Sequence, residues 1–473
     1  MTTPSRASLV ATWVAGLAVV LSGCSGADGD AAVTASGSTG PTFHRDVEPI
    51  LQASCQSCHR AGGIAPFSLV TYDDAKTAAA LIASTTAART MPPWGEDDTD
   101  ECAPQRGFEK DMRLDDATIA LLAAWKDAGA PEGDGADAPP PATFDDTGLP
   151  RASLELAPAA PYVTAGDADE FRCFVLDPKL SATAYLDGSH VVPDNAKVVH
   201  HVLLFADAAG ESAAKVGPDG SYDCFGGPGL ANQVLIAGWV PGMAPRELPP
   251  DVSQALEPGT LIVMQIHYHP AGTTAEPDAT RIQLRFADGP TRFRLLPKLI
   301  GNLEKALPGG LGLLPGPDDP ATGPEFLIPA GATGHTETMR IQIPDKIAGQ
   351  PLPPNTRIQA VTAHMHLVGV DEKVEITRAD ADHGPASECL FQVPRWDFAW
   401  QRQYAYDSPV EELPIVAPGD ELTIRCTYDN TLDNPQLARA LSEQKLAAPV
   451  DVALGESTLE EMCVAGLSFV FEP

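Results

Sequence analysis

Basic residues are scarce in this chain: 31 Lys and Arg stand against 64 Asp and Glu, leaving a formal net charge of −33. So large an acidic excess repels polyanions and anionic lipid surfaces, and it excludes nucleic acid as a partner. It also keeps a protein soluble. Beyond the first two dozen residues no apolar run is long enough to cross a bilayer, so membrane contact through a spanning helix is excluded there. Short internal repeats are absent too. What remains is 473 residues with 44% hydrophobic content, enough for two to four globular domains.

The N-terminus carries Arg6 and then an apolar stretch from Leu9 to Leu21, the form of an export signal. It ends in Leu21-Ser22-Gly23-Cys24, which resembles the lipobox of bacterial lipoproteins. That resemblance assigns residues 1–24 to the lipoprotein signal segment, with Cys24 lipidated and kept as the mature N-terminus, and implies an anchored protein on the periplasmic face or the surface of the outer membrane. Ser25 does not suggest retention in the inner membrane. Export also places the later cysteines where disulfides form.

Residues 25–40 are almost entirely Ala, Gly, Ser, Thr and Asp, a composition that reads as a flexible tether. A compact unit is expected over 41–132, with helical spacing in Val47, Ile50 and Leu51 and again in Ile119, Leu121, Leu122 and Trp125. Asp115 or Asp116 would cap the last helix, and Gly129 with Pro131 would end it. Residues 133–150 hold Gly133-Asp134-Gly135 and three successive prolines and read as a linker. From Arg151 onward short β-rich runs separated by Pro and Gly turns predict two all-β sandwich, jelly-roll-like domains, 151–310 and 320–473, divided by a Gly/Pro-rich break from Leu307 to Asp319. The expected fold class is multidomain: a small α-helical domain, whose cytochrome c character rests on the Cys55-Gln56-Ser57-Cys58-His59 motif, followed by those two sandwiches.

Cys55-Gln56-Ser57-Cys58-His59 has the pattern that attaches c-type haem: two thiols form thioethers and the adjacent imidazole sits under the iron. No second Cys/His pair at zinc spacing follows it. Met91, in Met91-Pro92-Pro93-Trp94, is the first choice for the sixth iron ligand because a thioether raises the haem potential and prolines stiffen the loop. Met112 is the second choice.

Six of the 11 histidines fall in three tight β-rich motifs, and metal binding is the simplest reason for that clustering. Adjacent His200 and His201 would face opposite sides of a regular strand, so sharing one metal requires a twist or bulge. His364-Met365-His366 puts both imidazoles on one strand face, a two-point chelate. His267-Tyr268-His269 has the same spacing and offers one ligand or two.

Together these motifs resemble the copper type II, ascorbate-dependent monooxygenases, the family of peptidylglycine alpha-hydroxylating monooxygenase and dopamine beta-monooxygenase. The resemblance covers the chain from about Leu154 to its C-terminus. It implies two copper ions, one held by His200, His201 and His267 of Gln265-Ile266-His267-Tyr268, the other by His364, His366 and Met462 of Glu461-Met462-Cys463. An all-imidazole copper suits electron transfer, whereas two imidazoles with a soft thioether favour Cu(I) and make His364, His366 and Met462 the catalytic set. The implied reaction is hydroxylation of a C–H bond of a small organic substrate with dioxygen. The implied disulfides are Cys173 with Cys224 and Cys426 with Cys463; Cys102 and Cys389 have no assigned counterpart and either pair across domains or stay free. Electrons would come from an external ascorbate-like donor, from the fused haem, or from both.

Departures from the family pattern bear on the substrate. Where family members that act on peptidylglycine hold its carboxylate with an arginine, an asparagine and a tyrosine, this chain has Thr362, Val464 and Gly466. Losing those donors makes glycine-extended peptides unsuitable and leaves a less polar pocket. His269 is a further departure, expected to face solvent before Pro270. The alternative to an enzyme is a non-catalytic haem and copper electron-transfer lipoprotein.

Overall fold

The computed structural model describes residues 40–144, 148–165, 169–240, 243–269, 274–316, 319–320, 323–347, 350–457 and 459–473. The export signal, Cys24 and nearly all of the tether lie outside them. Gly40–Pro473 forms one compact unit. No helix among the described residues is long and apolar enough to cross a membrane.

The structure is mostly β-sheet with few helices. Four of the helices, Glu48–Ser54, Tyr72–Thr77, Ala79–Ala87 and Asp116–Asp127, gather around a small core that includes Phe43, Leu51, Leu122 and Trp125. Local chemistry sets their ends. Thr71 and Asp74 form a reciprocal capping box on the second helix. The Asp115 carboxylate accepts from the Thr118 N–H at 2.7 Å and caps the fourth, and Gly129, at φ +83°, lets the chain turn away.

Beyond Arg151 three main sheets carry the fold. A five-stranded sheet runs in the order Ser221–Asp223, Glu170–Leu176, Leu261–Tyr268, Val199–Asp207, Val234–Trp239. A six-stranded sheet in the second half includes Thr333–Gln342, Glu421–Asp429, Gly369–Thr377 and Ser387–Val393. Strand alternation does the sorting: in Glu421–Asp429, Leu422, Ile424, Cys426 and Tyr428 are buried and their neighbours are half-buried.

The third sheet changes the expected organisation. It has nine strands and is shared by both halves: Leu154–Leu156, Arg281–Ala287, Ala184–Val192 with Arg246–Glu247 paired beside it, Val252–Leu256 and Phe293–Gly301 from the first, continuing into Val464–Phe471, Arg357–His364 and Gln403–Ala405 from the second. The join is eight antiparallel pairs between Phe293–Gly301 and the C-terminal strand, from Arg294 with Phe471 to Gly301 with Val464. The halves are therefore not separable sandwiches. An open edge on either would leave unpaired backbone groups, and pairing them satisfies both.

A second departure concerns residues 94–112, expected to belong to the helical unit. Trp94 and Phe108 sit in the core of the second half, 5.1 Å from Tyr404 and 5.1 Å from Tyr406 between ring centres. The Phe108 backbone bridges to Tyr406, and Glu109 N–H donates to the Ala405 carbonyl at 2.8 Å, so this segment covers the edge strand Gln403–Ala405. Ion pairs Arg106–Glu388, Arg425–Glu101 and Arg395–Asp97 reinforce it. So does a disulfide between Cys102 and Cys389, which fixes a pairing that the sequence left open.

Candidate metal centres

His201 and His267 are directly opposite each other on neighbouring strands of the five-stranded sheet, but the next residue, Tyr268, pairs with Val199. His200 is the extra residue of that bulge, and the bulge turns its ring to the same side as His201. The three ring centres lie 4.9 to 5.5 Å apart, and one donor atom from each residue falls within 4.8 Å of the other two. The Nδ1 atoms of His200 and His201 face each other at 3.3 Å. His267 stacks on Phe171, its Nε2 is 3.0 Å from the Asp169 carboxylate, and its buried Nδ1 has no hydrogen-bond partner among the described residues. A buried lone pair left open beside two converging imidazoles fits a metal ion.

Electrostatics agree with that fit. Burial holds the His200 imidazole down to about 4, with the charges of His267 and His269 adding to it. Burial, then His267 and His200, holds His201 well below its ordinary value. Both rings are neutral at pH 7, the form that donates a lone pair.

His269 does not simply face solvent. Its Nδ1 is 2.8 Å from the same Asp169 oxygen that holds His267, and its ring centre is 6.1 Å from that of His200. Asp169, which the sequence reading missed, is thus the shared anchor. Asp169→Ala is expected to weaken metal binding at this centre by about 10- to 100-fold, measured by calorimetric titration. Unchanged affinity would mean that the strands alone orient His267.

The second histidine pair ends the strand Arg357–His364. His364 Nδ1 meets the Gln401 side-chain oxygen at 2.8 Å and His366 Nδ1 meets the Glu460 carbonyl at 2.8 Å. Acceptors on both Nδ1 atoms place the proton there and leave each Nε2 as the free donor. Ring centres are 5.4 Å apart. Burial holds His364 down to about 4, helped by His366, and burial also lowers His366.

Met462 comes from the other side of the same sheet seam. Thr362 pairs with Gly466 and His364 with Val464, and Met462 directly follows Glu460 and Glu461, whose carbonyl and carboxylate hold the His366 ring and N–H. Its backbone is gripped at three points. Glu461 accepts the Met462 N–H at 2.9 Å, the Tyr428 hydroxyl donates to the Met462 carbonyl at 2.9 Å, and the next residue is tied by the Cys426–Cys463 disulfide. The other half carries the Cys173–Cys224 bridge.

Two buried carboxyls under this centre were also missed. Glu461 accepts the N–H groups of His366 and Val368 at 2.7 and 3.0 Å, and burial pushes it up to about 8. Glu372 accepts the His364 N–H at 3.0 Å and is raised well above the usual carboxylate range by burial. Glu461 stands beside Met462 in the sequence, but nothing in that adjacency signals a backbone anchor for His366.

At the third site, Cys55 and Cys58 are the free cysteines among the described residues, at the end of the helix Glu48–Ser54. His59 Nδ1 is 3.2 Å from the Phe67 carbonyl, which again leaves Nε2 as a free donor. Ile64, Phe67 and Val70 expose apolar surface on the following loop. Met91 lines a cleft with Trp94, Leu114 and Ile119, whereas Met112 packs on the second-half core with its Sδ 3.4 Å from Arg402.

No family model matches this chain, and no curated protein matches it. Among solved structures it overlaps the major capsid protein P2 from bacteriophage PM2 at 10% identity and a TM-score of 0.26, covering 67% of this chain and 96% of that one. Infectious bursal disease virus Gx strain follows at 10% identity and a TM-score of 0.19, with 68% and 73% covered. Overlaps that low carry no weight for fold or function.

Proposed function

We propose that this protein is an exported, lipid-anchored copper monooxygenase that carries its own c-type haem and hydroxylates a C–H bond of a small, uncharged substrate with dioxygen. The observation that carries the reading is two separate histidine clusters, each with imidazole nitrogens anchored from behind and donor atoms left open. Copper at these centres would supply one-electron redox chemistry and dioxygen activation.

The chain's own residues divide the work. His200, His201 and His267 offer three neutral imidazoles, a set that serves both copper oxidation states and suits electron transfer. His364, His366 and Met462 offer two imidazoles and a thioether, which favour the reduced ion. Glu372 and Glu461 hold the backbone of that set still, so the donors are preorganised. Cys55 and Cys58 would carry the haem thioethers and His59 the iron ligand, because both thiols are unpaired and the imidazole already has its Nδ1 anchored.

Substrate choice follows from the floor beside His364. Across three neighbouring strands Leu299, Gly466 and Thr362 are aligned, with Val464 opposite His364 on the same face. Leu299 is 63% exposed, and none of these side chains bears a charge. A carboxylate would find no charge-assisted hydrogen bond among them, whereas an apolar body would cover the exposed Leu299.

Reduced, copper-loaded protein supplied with isotopically labelled dioxygen tests the reading. With a panel of small uncharged aliphatic and aromatic substrates, the expected result is substrate-dependent oxygen uptake and one labelled oxygen atom per product. Full metal loading with no labelled product from any of them would instead favour an electron carrier.

A further inference from the structure

We infer that the first half of the sheets holds one small inorganic anion of halide size, bound by Arg246 in a cavity that Trp239 and Met243 also line. The site is independent of the copper and haem reading.

Arg246 stands on the short strand Arg246–Glu247, paired with Ser189 of the nine-stranded sheet, and its side chain reaches across to the edge strand Val234–Trp239 of the five-stranded sheet. There its Nη1 donates to the Ile236 carbonyl at 2.7 Å. Gln254 makes a second tie of the same kind, its side-chain amide donating to the Leu235 carbonyl at 3.1 Å. One arm of the guanidinium is therefore engaged, and the other is not. Its Nη2 is buried and has no hydrogen-bond partner among the described residues. The adjacent Glu247 does not serve, because successive strand residues face opposite ways and its carboxylate pairs with Arg285. Burial alone holds the Arg246 guanidinium down to about 10, with no carboxylate acting to raise it. A buried cation in that condition is costly unless an anion joins it.

The surroundings say which anion. Arg246 lines a cavity together with Val191, Leu204, Trp239 and Met243, and the space fits about one water-sized body. Largely apolar walls strengthen the attraction between Nη2 and an opposite charge. His190 is a second residue of the lining with an unsatisfied polar atom, its buried Nδ1 having no partner among the described residues. One positive charge matches a monovalent ion, and a water-sized space admits a single-atom halide but not a tetrahedral oxyanion. Chloride and bromide also give up their hydration more readily than fluoride. Bound there, the ion would lie at the seam between the two sheets, beside the strand that pairs Trp239 with Val202, the residue after His201. Occupancy should therefore stabilise the fold.

The test soaks crystals of the holoprotein in bromide and locates the ion by anomalous scattering. One bromide against Arg246 Nη2 is expected in the parent, and none there in Arg246→Met, which keeps the side-chain length and loses the charge. Position separates this ion from bromide on any metal. In solution the parent's melting temperature should rise with bromide and level off, chloride should reproduce the rise, and Arg246→Met should lose it. Should that variant not fold, the two measurements on the parent decide. A water at Nη2 in the soaked crystals, or bromide there without a saturable shift of melting temperature, overturns the inference. Sulfate seated in the same cavity would overturn it too, by showing a site for larger, divalent ions.

Discussion

Met462→Ala is expected to lower substrate hydroxylation by about 100-fold or more while leaving the haem spectrum and the copper at His200, His201 and His267 in place. The expectation rests on how the residue is held. Its N–H is bound by Glu461, its carbonyl by Tyr428, and its neighbour Cys463 by a disulfide to Cys426, all through groups that the substitution leaves alone. Truncating the side chain therefore removes the thioether without releasing the loop. The loss then belongs to the soft donor that favours the reduced ion. Labelled product per minute, alongside copper content, measures it. Full activity in the variant would take Met462 out of the chemistry and assign it to packing.

The second large effect concerns architecture. Replacing Cys102 and Cys389 by serine opens a link between residues 287 apart in sequence. Loop-closure entropy over so long a span corresponds to roughly 5 to 6 kcal/mol of stability in the unfolded-chain account. The covering of the edge strand Gln403–Ala405 weakens with it. Thermal unfolding of the double variant should begin well below that of the parent, and limited proteolysis should cut between residues 94 and 112 first. An unchanged melting temperature would show that Trp94, Phe108 and the ion pairs dock the segment unaided.

Strand periodicity made much of this legible in advance. His-x-His on one face follows from the two-residue repeat, and the bulge that adjacent His200 and His201 require is present in the register between His267 and Tyr268. Helix ends were readable because Asp115 and Gly129 act locally. Trp94 and Phe108 misled for a physical reason: apolar residues close to a helical unit in sequence read as part of its core, although their partners, Tyr404 and Tyr406, lie some three hundred positions away. The shared nine-stranded sheet was hidden likewise, since pairing of Phe293–Gly301 with the last strand depends on edges that a linear pattern does not display. Asp169, Gln401, Glu372 and Glu461 act from loops and neighbouring strands, and polar residues with such roles leave no periodic trace. Thr362, Val464 and Gly466 were singled out by resemblance, and their alignment beside His364 gives the uncharged floor its physical basis.

The most direct measurement is the copper-to-iron ratio of the purified, copper-reconstituted protein. Two coppers per haem iron, falling to one in His201→Ala and to one in His364→Ala, is the result expected from two independent ligand sets and an attached haem. One copper or none in the parent protein would contradict the account.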